Sequence, residues 1–460
     1  MNKNKKVLII GAGLAGSDAA YFLAENGVKV VLAECKKLKK GPAQSLETFG
    51  ELVCTNSLKS MDINSGHGLL KYEMEKFNSL ILKCGKKHAV PAGSALAVDR
   101  VAFSKEVSII LETHPLVTVV NRDVTDPIML AKEFDCEYTI IATGPLTTDG
   151  LSQWIKDVLT GEDLHFYDSI APIVDADSLD LEKLYFKDRY EDVEDDKIPD
   201  YLNAPMNKEE YEDFVDELKK ANKVPAASFE DANYFEACLP IDLMAERGVD
   251  TLRFSCMKPV GLEESNGKRP YAVIQLRREN LAGEAYNLVG FQNRLTYSEQ
   301  VRVFRKIPGF AEASFPHLGS VHRNTFLNAK KLLNFDMSSK EFPRLYFAGQ
   351  ITGVEGYTES ASMGLYVASQ ILRKINGEEP LQWPIETALG ALVNYILTNE
   401  KPRPSNINFG LLPPVKLERS QRRDRKNRKK FKKELAATRA REVFDQFIPE
   451  YLNNKVQNPE

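Results

Sequence analysis

The stretch KKVLIIGAGLAG, residues 5–16, decides the fold of this 460-residue chain. Its apolar run KVLII predicts a buried strand, and the glycine-rich GAGLAG follows directly. Apolar residues at helical spacing continue to Gly27, and residues 28–33 predict a second strand that ends at Glu34. A strand, a glycine-rich turn, a helix and a terminal acid in this register are typical of a dinucleotide-binding βαβ unit.

Each glycine of this turn has its own predicted task. Gly11 allows the tight turn, Gly13 lets the backbone approach a pyrophosphate, and Gly16 lets the helix pack on the strand. Free N–H groups at the helix start would bind the pyrophosphate, and Glu34 would accept hydrogen bonds from the adenosine ribose. The other interpretation is an ordinary glycine-rich turn between a strand and a helix.

Two further segments favour FAD over NAD as the nucleotide. EYTIIATGP, residues 137–145, and PRLYFAGQITG, residues 343–353, each predict a buried strand that ends in small residues. The second leads into a helix whose N-terminus could place positive potential against a flavin carbonyl, although ordinary helix packing would also explain its glycines. This arrangement resembles the glutathione-reductase-like FAD flavoproteins.

The predicted fold class is therefore α/β, a glutathione-reductase-like FAD-binding Rossmann fold with an inserted α+β domain. We expect residues 1–165 and 331–400 to form the two parts of the FAD-binding domain. Residues 166–330 would form the inserted, substrate-side domain, because they interrupt the nucleotide fold and include the amphipathic pattern 208–221 and the alternating pattern 271–276. Residues 401–460 would form a C-terminal segment with a basic helix.

Composition and charge bound the function. Apolar residues make up 43% of the chain and charged residues 27%, as in soluble globular proteins. No apolar run approaches the ~18 residues of a membrane helix, so we expect a cytoplasmic protein with reduced thiols and no membrane partner. The six cysteines include no C-x-x-C pair, and no metal site is predicted.

The net charge of −4 hides a strong asymmetry. Residues 416–441 carry thirteen Lys or Arg against three acids, whereas residues 175–217 carry seventeen acids against five bases. The basic block around residues 422–433 has two interpretations, a solvated terminal helix or a surface that contacts a polyanion.

Two cysteines have neighbourhoods that suit chemistry. Cys54 lies in the polar run ELVCTNS, with Lys59 close by, and Cys238 precedes a proline and the helical pattern 241–245. The thiolate of a cysteine at a helix start is favoured by the helix dipole, which makes a nucleophile at neutral pH. The alternative for each is a buried structural thiol.

Several long strings of the sequence carry one resemblance. They are residues 11–16, ELVCTNS, VPAG (90–93), AVDR (97–100), YFEACLP (234–240), RGVDTLRF (247–254), MKPVGL (257–262), HRNTF (322–326) and GQITGVEGY (349–357). Together they resemble the bacterial folate- and FAD-dependent tRNA uracil-5-methyltransferases, and the similarity runs from about residue 5 to residue 414.

The resemblance implies a reaction and its cofactors. The thiolate of Cys238 would add to carbon 6 of uracil, which makes carbon 5 nucleophilic, and Cys54 would assist beside the flavin. Methylenetetrahydrofolate would donate the carbon, reduced FAD would carry it and reduce it, and NAD(P)H would resupply electrons, giving 5-methyluridine in the T-loop of tRNA. Glu355 and His322 are conceivable general bases.

The candidate site residues follow from the motifs and the resemblance. The catalytic candidates are Cys238 and Cys54, and the FAD-binding candidates are Gly11, Ala12, Gly13, Leu14, Ala15, Gly16, Glu34, Gly349, Gln350 and Gly353.

The chain also departs from the usual family pattern at four places. Gln44-Ser45-Leu46 replaces a His-His-Thr-like stretch, Ala237 replaces a glycine, Ser255-Cys256 replaces Gly-Pro, and Ala204 replaces a common cysteine. These changes leave open the same chemistry on ribosomal RNA. Two other classes also remain, a flavin oxidoreductase of a small metabolite and a non-catalytic flavin-stabilised RNA-binding protein. The oligomeric state is not predicted.

Overall fold

The computed structural model describes residues 5–41, 43–160, 164–169, 171–189, 199–224, 239–319, 321–400, 404–424 and 426–452. The strands are β1 (Lys6–Ile10), β2 (Lys29–Glu34), β3 (Ser57–Ser60), β4 (Ala89–Val90), β5 (Ala95–Val98), β6 (Val117–Asn121), β7 (Tyr138–Ile141), β8 (Leu164–Ser169), β9 (Ile173–Asp175), β10 (Tyr185–Phe186), β11 (Tyr201–Met206), β12 (Ala272–Arg278), β13 (Ala285–Leu288), β14 (Val321–Phe326) and β15 (Leu345–Phe347).

The α-helices alternate with these strands in the first and last parts of the chain. They are α1 (Leu14–Glu25), α2 (Gly66–Lys76), α3 (Leu80–Lys87), α4 (Arg100–Thr113), α5 (Pro127–Glu133), α6 (Asp149–Ile155), α7 (Lys208–Lys220), α8 (Ile241–Glu246), α9 (Tyr297–Phe304), α10 (Ala329–Leu332), α11 (Tyr357–Ile375), α12 (Ala388–Thr398), α13 (Arg419–Arg423) and α14 (Arg428–Leu452). No helix in the described ranges is both long enough and apolar enough to cross a bilayer.

A parallel sheet in the order β15-β7-β1-β2-β6 carries the nucleotide fold. The strand β1 lies in its centre and is almost wholly buried, because helices cover both faces of a parallel sheet and every side chain must then be apolar. The helix α1 follows β1, and α11 follows β15 and packs closely against α1. The predicted strand β2 and the predicted helix after residue 13 are both confirmed.

A second sheet is antiparallel, in the order β10-β11-β12-β13-β9, and has its own apolar core. The helix α7 covers it with its buried side chains Tyr211, Phe214 and Leu218. This helix begins with a capping box, in which the Asn207 side chain accepts from the Glu210 N–H and the Glu210 carboxylate accepts from the Asn207 N–H. The amphipathic helix expected over residues 208–221 is thus confirmed.

Two smaller elements join the sheets. The strands β8 and β14 pair antiparallel, and they immediately flank the second sheet in the chain order. A three-stranded sheet in the order β3-β5-β4 belongs to the first part of the chain and lies directly after the segment that carries Cys54. The predicted α/β class, with a parallel nucleotide-binding sheet interrupted by an α+β insertion, is confirmed.

The basic C-terminal block is not the single helix that its sequence suggests. The helix α13 ends at Arg423, and α14 begins only at Arg428. The break occurs because Asp424 turns its carboxylate onto Asn427, accepting from the backbone N–H at 3.0 Å and from the side-chain amide at 2.9 Å. Such local Asp and Asn bonds compete with helix continuation.

Candidate active site

The turn after β1 is built so closely that two of its glycines cannot be replaced. Gly11 has a φ of +98°, and a Cβ there would lie 2.7 Å from the carbonyl oxygen of Ala142, at the end of β7. A Cβ on Gly16 would lie 1.8 Å from the carbonyl oxygen of Gly11. Around Gly13, in contrast, a Cβ would meet nothing within 4 Å. The loop is therefore packed on its inner side and open beside Gly13.

The carboxylate of Glu34 lies across this loop. It accepts from the Ala12 N–H at 2.7 Å, the Cys35 N–H at 2.8 Å and the Lys36 N–H at 3.0 Å, and the residue is only 8% exposed. A cavity of about 210 Å³ opens here, lined by Gly13 and Glu34 among others. Burial and the Glu34 charge raise the pKa of the Cys35 thiol to about 11, so this thiol is neutral at physiological pH.

The late glycine segment meets the first loop through its own close contacts. Gly349 has a φ of +81°, and a Cβ there would lie 2.8 Å from the Cβ of Ala15. A Cβ on Gly364, in α11, would lie 2.1 Å from the carbonyl oxygen of Ala15. Residues 11–16 and 349–353, although far apart in the chain, therefore lie side by side. The side-chain amide of Gln350 donates to the Glu355 carboxylate at 2.6 Å.

These residues fit an FAD molecule. The helix α1 starts without a side-chain cap, so its first N–H groups are available to an anion, and the space beside Gly13 admits a pyrophosphate. Glu34 stands at the end of β2, where a carboxylate suits ribose hydroxyls. Residues 349–353 would line the opposite end of the dinucleotide.

Cys54 is held in place by a tyrosine of α11. The hydroxyl oxygen of Tyr357 accepts from the Cys54 N–H at 2.6 Å and from the Thr55 N–H at 3.1 Å. Burial, reinforced by the neighbouring Cys54, raises the pKa of Tyr357 well above its ordinary value, so the hydroxyl stays protonated. The first residue of the late glycine helix thus positions the backbone of the predicted catalytic cysteine.

The second sheet also contacts the Cys54 loop. The Arg277 guanidinium donates to the side-chain oxygen of Asn56 at 2.9 Å and to the Thr55 hydroxyl. The Asn56 amide in turn donates to the Arg278 carbonyl at 2.9 Å. Since Arg277 and Arg278 end the strand β12, the inserted sheet is fastened directly to the loop that carries Cys54.

A large cleft of about 820 Å³ lies between loops of the first part of the chain and the second sheet. Glu51 and Val53, from the segment before Cys54, line one wall, and Arg100 pairs with Glu279 at 2.9 Å across it. Burial alone would raise the pKa of Glu51, but Lys36 at 3.1 Å and the N–H groups of residues 45 and 46 bring it below its ordinary value. The cleft therefore contains fixed charges of both signs.

Sequence reasoning missed the residues that hold the Cys54 loop and the arginine that lines this cleft. Tyr357, Asn56, Arg100 and Arg277 had no assigned role, although the first three lie within or beside the quoted strings. Tyr357 directly follows a glycine with a φ of +114°, and Arg100 directly follows the helix-capping Asp99. The glycine before Tyr357 and the capping aspartate before Arg100 are the sequence signals that could have identified these two residues.

Cys238 lies outside the described residues, so its role stays a prediction. The described chain resumes at Leu239, and α8 begins at Ile241, which confirms the helix expected over residues 241–245. The buried carboxylate of Asp242 binds the Arg294 guanidinium at 2.6 Å and anchors this helix. Of the conceivable general bases, Glu355 is tied to Gln350, and the side chain of His322 lies outside the described part.

Three of the four departures from the family pattern, at residues 44–46, 204 and 255–256, lie in the described part of the chain. The backbone N–H and hydroxyl of Ser45 both donate to Glu51 at 2.8 Å, which shapes the cleft wall. Ala204 is fully buried in β11, opposite Ile274. Burial raises the pKa of the Cys256 thiol to about 12, so Cys256 is a neutral thiol and a poor nucleophile. Ala237 lies outside the described residues.

Replacing Tyr357 with phenylalanine tests the positioning of Cys54. We expect Tyr357→Phe to lower kcat about tenfold and to destabilise the fold by ~1–3 kcal/mol, because two N–H groups lose their acceptor. Alkylation kinetics of the Cys54 thiol, thermal unfolding and turnover would measure this.

The matched control is Tyr366→Phe, on the same helix. Its hydroxyl donates to the Phe335 carbonyl at 2.7 Å, away from the cleft. That variant should lose stability and keep kcat and the Cys54 alkylation rate. If both variants behave alike, Tyr357 has only a structural role.

The fold and this site define a class of protein, an FAD-binding flavoprotein of the glutathione-reductase-like type with an inserted domain over the site. Comparison with known proteins narrows the class. The family described as GIDA, glucose inhibited division protein A, matches residues 6–379. The "Methylenetetrahydrofolate--tRNA-(uracil-5-)-methyltransferase TrmFO" of Natranaerobius thermophilus is 48% identical over 451 residues, which cover 97% of this chain and 100% of that relative.

A second relative and a solved structure are also similar to this chain. The TrmFO protein of Aquifex aeolicus is 47% identical over 455 residues, covering 98% of each chain. The crystal structure of Aquifex aeolicus GidA in form II has a TM-score of 0.66 at 14% identity, covers 97% of this chain and 74% of that one, and so supports the fold alone. The chain belongs to the GIDA family and to its TrmFO methyltransferases, as the resemblance predicted.

Proposed function

We propose that this protein transfers the one-carbon unit of methylenetetrahydrofolate to carbon 5 of a uracil in tRNA, forming 5-methyluridine in the T-loop. The observation that carries the proposal is the 43–50% identity, over nearly the whole chain, to relatives that bear this activity as their name. The closely packed glycine segments at residues 11–16 and 349–353 and the cleft beside the Cys54 segment support this activity.

Two cysteines of the chain and a general base carry out the proposed reaction. The Cys238 thiolate adds to carbon 6 of the uracil, and the negative charge that develops makes carbon 5 a nucleophile. Cys54, held by Tyr357, lies beside the one-carbon unit and assists its passage. Carbon 5 bonds to the one-carbon unit as that carbon's bond to the donating nitrogen breaks. A base then removes the proton from carbon 5, and the thiolate leaves from carbon 6.

The cofactor residues are proposed on the same basis. Residues 11–16 with Glu34 hold the pyrophosphate and ribose of FAD, and Gly349, Gln350 and Gly353 lie at its flavin end. Bound FAD supplies the hydride chemistry that reduces the transferred carbon to a methyl group. NAD(P)H restores the electrons. The cleft between the segment that carries Cys54 and the second sheet has room for the folate and for a uracil taken out of its loop.

Three further assignments accompany this proposal. The domain boundaries are proposed at residues 165, 330 and 400, and the first two are supported by the pairing of β8 with β14 on either side of the inserted sheet. The RNA partner is tRNA. The proposed compartment is the cytoplasm, which is supported by the five described cysteines, all of which are free thiols.

Incubation with methylenetetrahydrofolate, NAD(P)H and unmodified total RNA tests the activity. We expect 5-methyluridine at a single position, in the T-loop of tRNA, when the products are mapped by mass spectrometry. Omission of the folate should abolish the product, and flavin absorbance should show bound FAD.

Three outcomes would replace this proposal. Label confined to ribosomal RNA would move the same chemistry to another substrate. Oxidation of NAD(P)H by a small metabolite with no dependence on RNA would indicate a flavin oxidoreductase instead. A protein that binds RNA tightly but transfers no carbon would be a non-catalytic RNA-binding protein.

A further inference from the structure

A strongly basic exposed patch lies in the C-terminal segment. We call it the basic surface. It comprises nine exposed cations of residues 416–433, namely Lys416, Arg419, Arg423, Lys426, Arg428, Lys429, Lys430, Lys432 and Lys433.

Little within the protein neutralises this charge. Among the described carboxylates, only Glu434 lies within ion-pair distance of these nine cations, at 3.9 Å from the Lys430 ammonium. The Asp424 carboxylate instead accepts two hydrogen bonds from Asn427. The acids that balance the overall charge lie elsewhere, mostly in residues 175–217. A concentration of like charge costs folding energy through self-repulsion, and a polyanionic partner would remove that cost.

The basic surface is part of the folded domain and not a loose tail. The second half of α14 buries Ala440, Phe444 and Phe447 against the core of the first domain. The Trp383 ring packs against Phe444 at a centroid distance of 5.7 Å, and the Tyr72 hydroxyl donates to Asp445 at 2.7 Å. The cations at the start of α14 are therefore held in a fixed place.

The same C-terminal segment runs along the proposed active site. The Glu355 N–H donates to the Ser405 carbonyl at 2.8 Å, and the Ile407 N–H donates to the buried Glu359 carboxylate at 3.0 Å. Both partners belong to the loop and helix start that surround Tyr357. Lys416 lies eleven residues after Ser405, a span of at most about 40 Å. One duplex arm of an RNA could therefore bridge the two places.

We propose that the basic surface binds the phosphate backbone of the substrate tRNA, outside the loop that is modified, and so orients the T-loop toward the cleft. This rests on the proposed function, because the tRNA is its partner. Fixed, exposed and unpaired Lys and Arg side chains recognise phosphates by charge, without reading sequence. The basic surface thus contributes affinity, and the cleft contributes the choice of uridine.

Salt-dependent binding of the FAD-loaded full chain tests the proposal. The variant K429Q/K430Q/K432Q/K433Q removes four cations from the exposed start of α14. We expect it to bind a full-length unmodified tRNA transcript at least about tenfold more weakly at low salt, with a slope of log K against log salt that is smaller by about 3 to 4. Its binding of a short T-arm hairpin should weaken less than its binding of the full tRNA, because the basic surface is proposed to hold the backbone outside the modified loop.

The matched control is K29Q/K105Q/K132Q/K208Q, which removes four exposed lysines elsewhere and changes the net charge equally. It should bind tRNA as the unmodified protein does. Three results would overturn the proposal: unchanged affinity and slope in the first variant, equal losses in both variants, or loss of binding only to vesicles of anionic lipid. Methyl transfer is measured separately from binding. Its absence in the unmodified protein would contradict the proposed function, and the binding measurement would still test the basic surface.

Discussion

The Gly16→Ala protein is expected to be produced without FAD and to unfold at a markedly lower temperature. The added Cβ would lie 1.8 Å from the carbonyl oxygen of Gly11 and 3.3 Å from a methyl group of Ile9. Neither the backbone carbonyl nor the buried strand β1 can retreat, because β1 lies between two parallel neighbours in the sheet. We expect a loss of roughly 3 kcal/mol or more in the free energy of unfolding, measured by denaturant titration.

Gly13→Ala is the matched control. Its φ of −72° suits any residue, and the new methyl group would meet no atom within 4 Å, so the fold should keep its stability. The methyl group would nevertheless occupy the open side of the loop, where the pyrophosphate is proposed to approach. FAD affinity should therefore fall, by about tenfold or more, without loss of stability. Normal FAD content in Gly16→Ala would show that our account of the loop is wrong.

The Cys238→Ala protein is expected to lose methyl transfer by a factor on the order of 10³ or more. Carbon 5 of uracil is a poor nucleophile until a thiolate has added at carbon 6, so no other part of the site can replace this step. FAD content should be unchanged, since the proposed FAD residues are those of the two glycine loops. Product formation and the absorbance of bound flavin would be measured on the same sample.

Cys256→Ala provides the matched control for this thiol. Burial keeps Cys256 protonated, with a pKa of about 12, so its removal should leave turnover intact. RNA that carries 5-fluorouridine adds a direct readout, because fluorine at carbon 5 cannot leave as a proton and the adduct persists. The unmodified protein should form a covalent complex whose peptide map identifies Cys238. Retained turnover in Cys238→Ala would remove it as the nucleophile.

Local patterns predicted the fold well. The strands at residues 5–10 and 29–34, the helix between them and the capped helix α7 all follow from side-chain periodicity and nearby cap residues, and the structure has each of them. The C-terminal block shows where such reasoning fails. A single basic helix is expected there, but two hydrogen bonds from Asn427 to the Asp424 carboxylate divide it.

The sequence by itself determined the nucleotide-binding unit and the family, because a turn, its glycines and the strand and helix around it are set by neighbours within about thirty residues. Only the tertiary structure decided how Cys54 is held. Its partner Tyr357 lies 303 positions away, and Arg277 reaches the same loop across 222 positions from the inserted sheet. Contacts of that range depend on how distant segments pack together, within the nucleotide fold for Tyr357 and between that fold and the inserted sheet for Arg277, and no local pattern encodes that packing.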